Sequence, residues 1–333
     1  MTRTSMHRQK GLSLVELLIA MTLSLLLMGG VLQIFLASKQ TYSANTALSR
    51  VQESGRFAME FLTSDIRNAG YKGECITPLN NLLNESSASY SDDLFDLSQA
   101  LSGRANASPS WVANRSAGDV IHVKYAASLA GVTASGNTPA TANTISLTAA
   151  SGVAQGTIII ASAPLGCDLF QNRSNANAQN LTRGSTGSGS PGNKNPASNP
   201  FSHAYDAAMD ILKLQSATYY IGNDVNSRPA LRRISFSTGV AVDEVLIEGV
   251  ENMQILYGIA GANKQVSNYV SAASVADWDD VVSVRVYLLV VGAETNVTPE
   301  NQVIDFNGAA VTIGNRRLAQ VFSSTIGIRN RLP

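Results

Sequence analysis

Few side chains in this sequence stand where they could do chemistry. The carboxylates come first: Glu16, alone in an apolar run, the pair Asp92-Asp93, and the group Asp277-Trp278-Asp279-Asp280. The last two could act as calcium ligands or acid–base carboxylates, but neither has the spacing of an EF-hand loop. Histidine occurs only at His7, His122 and His203, which predicts no metal site. His122 is expected on a half-exposed strand face rather than as a base. The two cysteines, Cys75 and Cys167, offer either a disulfide or two buried thiols. Gly187-Ser188-Gly189-Ser190-Pro191-Gly192 has the letters of a dinucleotide fingerprint. It lacks the preceding strand and following helix that give those letters meaning, and Asn193 stands where a phosphate loop needs lysine. No nucleophile, base and orienting acid can be assembled from this set. The expectation is therefore no catalytic residue, no cofactor and no enzyme, with a membrane-anchored enzyme as a rival that these carboxylates would have to carry.

Glu16 is the informative one. Residues 12–37 contain no other ionisable side chain, and their length meets the roughly 20 apolar residues that a membrane-spanning helix requires. A charge deep in a bilayer costs on the order of 2.5–3.5 kcal/mol, so Glu16 must either reach the interface or be matched by a partner. Residues 1–10 carry Arg3, Arg8 and Lys10 and no acid. A basic flank of this kind stays in the cytoplasm, which directs the remainder of the chain outward. A secretory signal peptide is the alternative. Its apolar core runs about 7–15 residues and ends at a small-residue cleavage site. Gly29-Gly30 imitates such a site, yet apolar sequence continues past it.

Gly11-Leu12-Ser13-Leu14-Val15-Glu16, followed by an apolar helix, resembles the class III signal of type IV pilins and type II secretion pseudopilins. The resemblance implies that a prepilin peptidase cuts between Gly11 and Leu12, leaving an N-methylated Leu12 amine, with Glu16 fifth in the mature chain. Most members begin the mature chain with Phe, so Leu12 departs from the pattern. Inside an apolar bundle the new cationic amine and the Glu16 carboxylate of a neighbouring subunit can neutralise each other. The pairing would also set axial register between helices.

The elements that position this charge can be read from the periodicity. Beyond Lys39, Ala44, Leu48, Val51, Gly55, Ala58, Leu62, Ile66 and Ala69 recur in steps of three and four, marking one helical face. Arg50, Glu53, Arg56, Glu60 and Arg67 mark the other, and Gly70 supplies a stop. One helix over residues 12–69 would be roughly 87 Å long. Residues 12–38 would form its transmembrane or filament-core half and residues 39–69 its amphipathic half. Gly29-Gly30 is either a weak point or a place for close helix packing. Many major pilins carry a proline in this part of the helix, and none occurs here.

Residues 70–333 read as a β-rich globular domain. Strands are expected over 119–125, 144–148, 157–161, 211–221, 231–237, 245–247, 252–259, Val281–Val291 and 318–328. The β-branched run of Val281–Val291 suits a buried central strand. Residues 172–203, rich in Asn, Ser, Gly and Pro, read as a flexible loop or a join between sheet regions. A helix first and strands after favours an α+β fold with an antiparallel sheet. In an oxidising compartment Cys75 and Cys167 are expected to pair, tying the helix end to the sheet.

A narrower likeness lies in Gln40-Thr41-Tyr42, in residues 48–58, in Asp65-Ile66-Arg67-Asn68-Ala69-Gly70-Tyr71, in residues 248–258 and 281–286, and in residues 317–331. These phrases are similar to PilW-type minor pilins, covering both ends of the chain well and residues 79–165 poorly. The resemblance implies a structural role in a minor-pilin complex that primes pilus assembly, stands at the pilus tip and supports twitching motility and adhesion. The partners implied are other minor pilins, the major pilin, the prepilin peptidase, the inner membrane, the assembly platform and a tip adhesin. Localisation would be single-pass in the inner membrane with a periplasmic domain, and then in the pilus. The nearest alternative is a J-type pseudopilin of type II secretion. A tip adhesin or DNA-binding subunit is a further one, resting on Arg228, Arg232 and Arg233 and on Arg173, Arg183 and Lys194. The chain is neutral overall and the mature form slightly acidic, so nucleic acid is not expected as the main partner.

Overall fold

A computed structural model describes residues 13–184, 189–263 and 265–331 of the 333. The first element is α1 (Leu14–Asn68), one unbroken helix of 55 residues. The Ser13 side chain caps it by accepting from the Val15 amide, and Glu16 lies in its first turn, where a carboxylate opposes the positive end of the helix dipole. No proline interrupts it. It ends where Gly70 adopts φ +78°, a backbone geometry that costs glycine little.

Sixteen strands follow among the described residues: β1 (Leu79–Asn81), β2 (Leu101–Arg104), β3 (Arg115–Ser128), β4 (Thr144–Ser146), β5 (Ile158–Ala163), β6 (Gly166–Gln171), β7 (Asn180–Thr182), β8 (Asp210–Asn223), β9 (Pro229–Ser235), β10 (Val242–Glu248), β11 (Val250–Ala260), β12 (Val266–Val270), β13 (Val281–Val291), β14 (Val303–Phe306), β15 (Ala309–Thr312) and β16 (Ala319–Gly327). The larger sheet has the order β1-β6-β5-β8-β3-β2. The far end of β8 also pairs with β9, and β9 with β10. A second sheet, β12-β11-β13-β16, is antiparallel throughout, with β13 buried between two neighbours. Among the described strands only β1 and β6 pair in parallel. The fold is α+β: a long N-terminal helix packed on antiparallel sheet.

The core explains the helix pattern. Val51, Ala58, Leu62 and Ile66 of α1 pack with Ile121, Tyr219, Met253, Ile255, Val286 and Leu288 from both sheets. At Gly55 the Phe322 ring lies where a β-carbon would be, so the smallest residue lets β16 approach the helix axis. Asp65 is buried on the same face and accepts from the hydroxyls of Tyr125 at 2.8 Å and Tyr219 at 2.6 Å. Asp119 on β3 accepts from the Ile255 amide at 2.8 Å and so joins the two sheets.

Residues 172–203 differ from expectation. They contain β7, which pairs with β4, and they bury Asn172, Arg183 and Asn193 completely. Amides do the work that an apolar core usually does. Gln171 donates to the carbonyls of Gly156 and Ser190, and Asn193 bonds the Gln171 backbone in both directions. Their polarity reads as loop in the sequence, yet the Asn172 and Asn193 amides and the two terminal nitrogens of Arg183 meet fixed partners, as burial favours; Arg183 Nε alone of these has none. Gly189 to Gly192, the described part of the glycine-rich stretch, lie in this folded region with neither flanking strand nor flanking helix.

The segment at residues 329–331 closes the helix end. The Arg329 amide donates to the Arg67 carbonyl, and the Asn330 side chain donates to the carbonyls of Asn68 and Ala69. These are among the acceptors that a helix C-terminus leaves unpaired.

Candidate functional site

α1 divides into two halves of opposite character. Its second half is seated in the domain, with burial beginning at Ala47. Its first half is exposed throughout among the described residues. Leu14 is 75% exposed and Leu26 74%, and every large apolar side chain from Leu14 to Leu36 is exposed in the same way. Burying one such side chain is worth roughly 1.5–3 kcal/mol, so this surface is stable only in a bilayer or against other apolar helices. By length and hydropathy the helix can cross a membrane, which fits membrane anchoring.

Glu16 is exposed on this half and shares a shallow groove with Leu17, Ala20, Met21, Ser24, Leu25 and Met28. Gly11 and Leu12, the expected cleavage pair, lie outside the described residues. Nothing else ionises near Glu16 on the helix, and the chain supplies no cation to it among the described residues. A counter-charge for it must come from beyond the fold.

The other candidates resolve into structural roles. Cys75 and Cys167 are bonded, with a Cα–Cα distance of 5.7 Å, and the bond ties the segment after α1 to β6. Asp277 caps the short turn at Trp278–Asp280 by accepting from the Asp279 amide, while Asp279 pairs with Arg331 at 2.9 Å. Among the described residues no group of His, Cys, Asp and Glu could hold a metal. Three of the arginines considered for nucleic acid are paired: Arg228 with Asp224 and Glu248, Arg232 with Asp243, and Arg233 with Glu244. Arg183 is buried over the Phe201 ring, and Lys194 pairs with Glu85. These pairs leave little free positive charge at the Arg228, Arg232 and Arg233 cluster, and DNA binding draws its affinity from free positive charge.

His122 and its neighbour correct an expectation. Both faces of β3 are covered, so His122 is buried rather than half exposed. It is hydrogen-bonded to Thr218 Oγ1 at 2.6 Å and Ser216 Oγ at 3.2 Å. Burial holds its pKa well below the usual imidazole range, and the Lys124 charge adds to the effect. Lys124 is buried too and donates to the backbone carbonyls of Asp92 and Asp93. Those two aspartates therefore serve through their main chain. Burial lowers the Lys124 pKa to about 8, against the opposing pull of Asp96, Asp93 and Asp92.

The consequence is a pH dependence of stability. Below pH 8 the fold must hold a charge that the unfolded chain holds in water. As pH rises from about 8 toward 10.5 the folded lysine is neutral while the unfolded one still binds its proton, so stability increases. We expect a rise of about 1–2 kcal/mol between pH 7 and pH 9.5 in urea denaturation of the detergent-solubilised chain. Lys124→Met should abolish it. Above pH 10 the trend reverses, because burial keeps the phenols of Tyr125, Tyr205 and Tyr219 protonated in the fold alone.

Sequence reasoning missed Asp65, Asp119 and Asp168. Asp168 sits wholly buried within β6 and accepts from Asn80, from Ser202 and from the Tyr205 hydroxyl at 2.5 Å. A lone acid in an otherwise apolar strand was the available signal.

The comparisons with known proteins agree with this division of the helix. The prokaryotic N-terminal methylation motif matches residues 6–32, and together with the exposed helix it places the chain among the type IV pilin-like proteins. Residues 218–330, which run from β8 through β16 to the segment that caps α1, match the family described as Type IV Pilus-assembly protein W. Over these two stretches the chain is similar to type IV minor pilins of the PilW family. Among solved structures, a type IV-like pilin from Thermus thermophilus shares 11% identity over 54% of this chain and 87% of its own, with a TM-score of 0.20, a likeness too distant to bear on the fold. No curated protein matches.

Proposed function

We propose that this chain is a subunit of a minor-pilin complex that primes pilus assembly and stands at the pilus tip, supporting pilus biogenesis and twitching motility. The observation that carries this reading is the first half of α1. It is a fully exposed apolar rod bearing one carboxylate, and nothing in its own domain covers it. In the membrane, lipid covers the rod; in the filament, the helices of neighbouring subunits do. Cleavage between Gly11 and Leu12 creates an amine that Glu16 of an adjacent subunit neutralises, and this pair fixes how far one helix slides along the next. The domain, residues 70–333, faces the periplasm and meets neighbouring minor pilins laterally. The PilW-family match over residues 218–330 supports the pilus over the secretion machine as the assembly served.

Glu16→Ala tests the role of the carboxylate. Mass spectrometry should still find the mature chain beginning at methylated Leu12. Leaving a buried amine unpaired costs about 3–5 kcal/mol, so incorporation into pili should fall by about two to four orders of magnitude. Normal incorporation would refute the pairing. Deletion of the whole chain should abolish twitching and leave protein secretion intact; the opposite pattern would assign it to the secretion machine.

A further inference from the structure

The β12-β11-β13-β16 sheet turns one face to the core and the other to water. Strand alternation assigns the side chains to each. Met253, Ile255, Val284, Val286 and Ile326 point into the core, so Gln254, Arg285, Tyr287, Ser323 and Thr325 point outward. Arg285 stands opposite Thr325, and Tyr287 opposite Ser323. Ser323 and Thr325 are exposed, and Arg285 and Tyr287 are half-buried.

Arg285 is held in one pose. Gly258 lies between Tyr269 and Ser283 in the sheet, and a β-carbon there would come within 3.0 Å of the Tyr269 ring. Without one, the ring lies across β11 and its hydroxyl meets Ser283 Oγ at 3.0 Å. The Arg285 guanidinium stacks on that ring, 4.0 Å from its centre, and its Nε donates to Thr325 Oγ1 at 3.1 Å. Stack and bond leave the two terminal nitrogens, which have no partner among the described residues. They form the fork that matches a carboxylate. Because the fork is fixed beforehand, little side-chain freedom remains to be lost on binding. The β14–β15 hairpin bounds the face at one end: Asn307 at its turn donates to Gln254 Oε1 at 2.8 Å, and Tyr287 packs on the cluster around Phe306. The hydroxyls of Tyr287 and Ser323 beside the guanidinium have no partner either among the described residues.

This pattern selects the ligand. A nucleic acid needs a row of cations, and these outward positions supply one. A protein interface has an apolar centre inside a polar rim, whereas here a guanidinium and hydroxyls occupy the centre. We propose that this sheet face binds an acidic polysaccharide. The terminal nitrogens of Arg285 take the carboxylate of a uronic or sialic acid unit, and Tyr287 and Ser323 bond the sugar hydroxyls next to it. The site uses neither Glu16 nor α1, so it adds a binding role to the assembly role proposed above.

The test is an array of immobilised glycans read with the detergent-solubilised full chain. It carries glycans with glucuronate, galacturonate or sialate, the methyl esters of each, and neutral and sulfated glycans. Binding is expected on the carboxylated set and at least tenfold weaker on the esters. Arg285→Gln should lower it about ten- to a hundredfold with an unchanged melting temperature. Thr325→Glu keeps the arginine but places a carboxylate opposite it, and should cause the same loss. Glu16→Ala, which tests assembly, should leave binding intact. The proposal is overturned by no binding to any carboxylated glycan, by equal binding to the esters, or by binding that survives Arg285→Gln or Thr325→Glu. Stronger capture by single-stranded DNA or by an acidic peptide on the same array also overturns it.

Discussion

Cys75→Ser together with Cys167→Ser should lower the unfolding free energy of the domain by about 4 kcal/mol. The bond spans a sequence separation of 92 residues. Closing a loop of that size removes conformational freedom from the unfolded chain in proportion to the logarithm of its length. Both cysteines are buried in the folded domain, so the cross-link is shielded from reductants until the domain opens. Equilibrium urea denaturation of the oxidised protein and the double variant is the direct measurement. A difference under about 1 kcal/mol would mean that the unfolded chain is already compact across this segment. Thiol labelling that succeeds only after reduction and unfolding would agree with the same picture.

Asp65→Ala should be comparably damaging, by about 3–5 kcal/mol. One carboxylate holds two phenols, Tyr125 on β3 and Tyr219 on β8, from a buried position on α1. Hydrogen bonds to a charged group contribute roughly 1.5–3 kcal/mol each, and their loss leaves buried hydroxyls without a partner. Burial, followed by the nearby Asp65 charge, raises the pKa of both phenols, so both remain donors at any pH the protein meets. Asp65→Asn keeps an acceptor and should cost about half as much. Equal effects of the two variants would show that a neutral acceptor contributes nothing and that the charge carries the interaction.

Both predictions concern residues that the sequence reveals unequally. The cysteine pair was legible because there are only two. Asp65 was not, because an acid at that spacing reads as part of the polar face of α1; its burial depends on two tyrosines far along the chain. The same contrast runs through the fold. Val281–Val291 was visible as a central strand from its β-branched run, and the helix from its steps of three and four. β6 was missed because Asp168 interrupts its apolar pattern, and β7 because Asn and Thr carry its partners. The face of α1 was nearly right: Ala47 rather than Leu48 opens the buried row, since the sheet meets the helix from one side only. In the candidate site, Glu16 and the exposed rod were plain from composition.

The cap that residues 329–331 place on α1 has a temporal consequence. Asn330 meets the carbonyl of Asn68 across a sequence separation of 262 residues, so the two are made far apart in time on the ribosome. The apolar first half of α1 can enter a bilayer while the docking surface of its second half still waits for strands not yet translated. During that interval the greasy face of Val51, Ala58 and Leu62 has no sheet to cover it, which makes the nascent chain a client for holding chaperones.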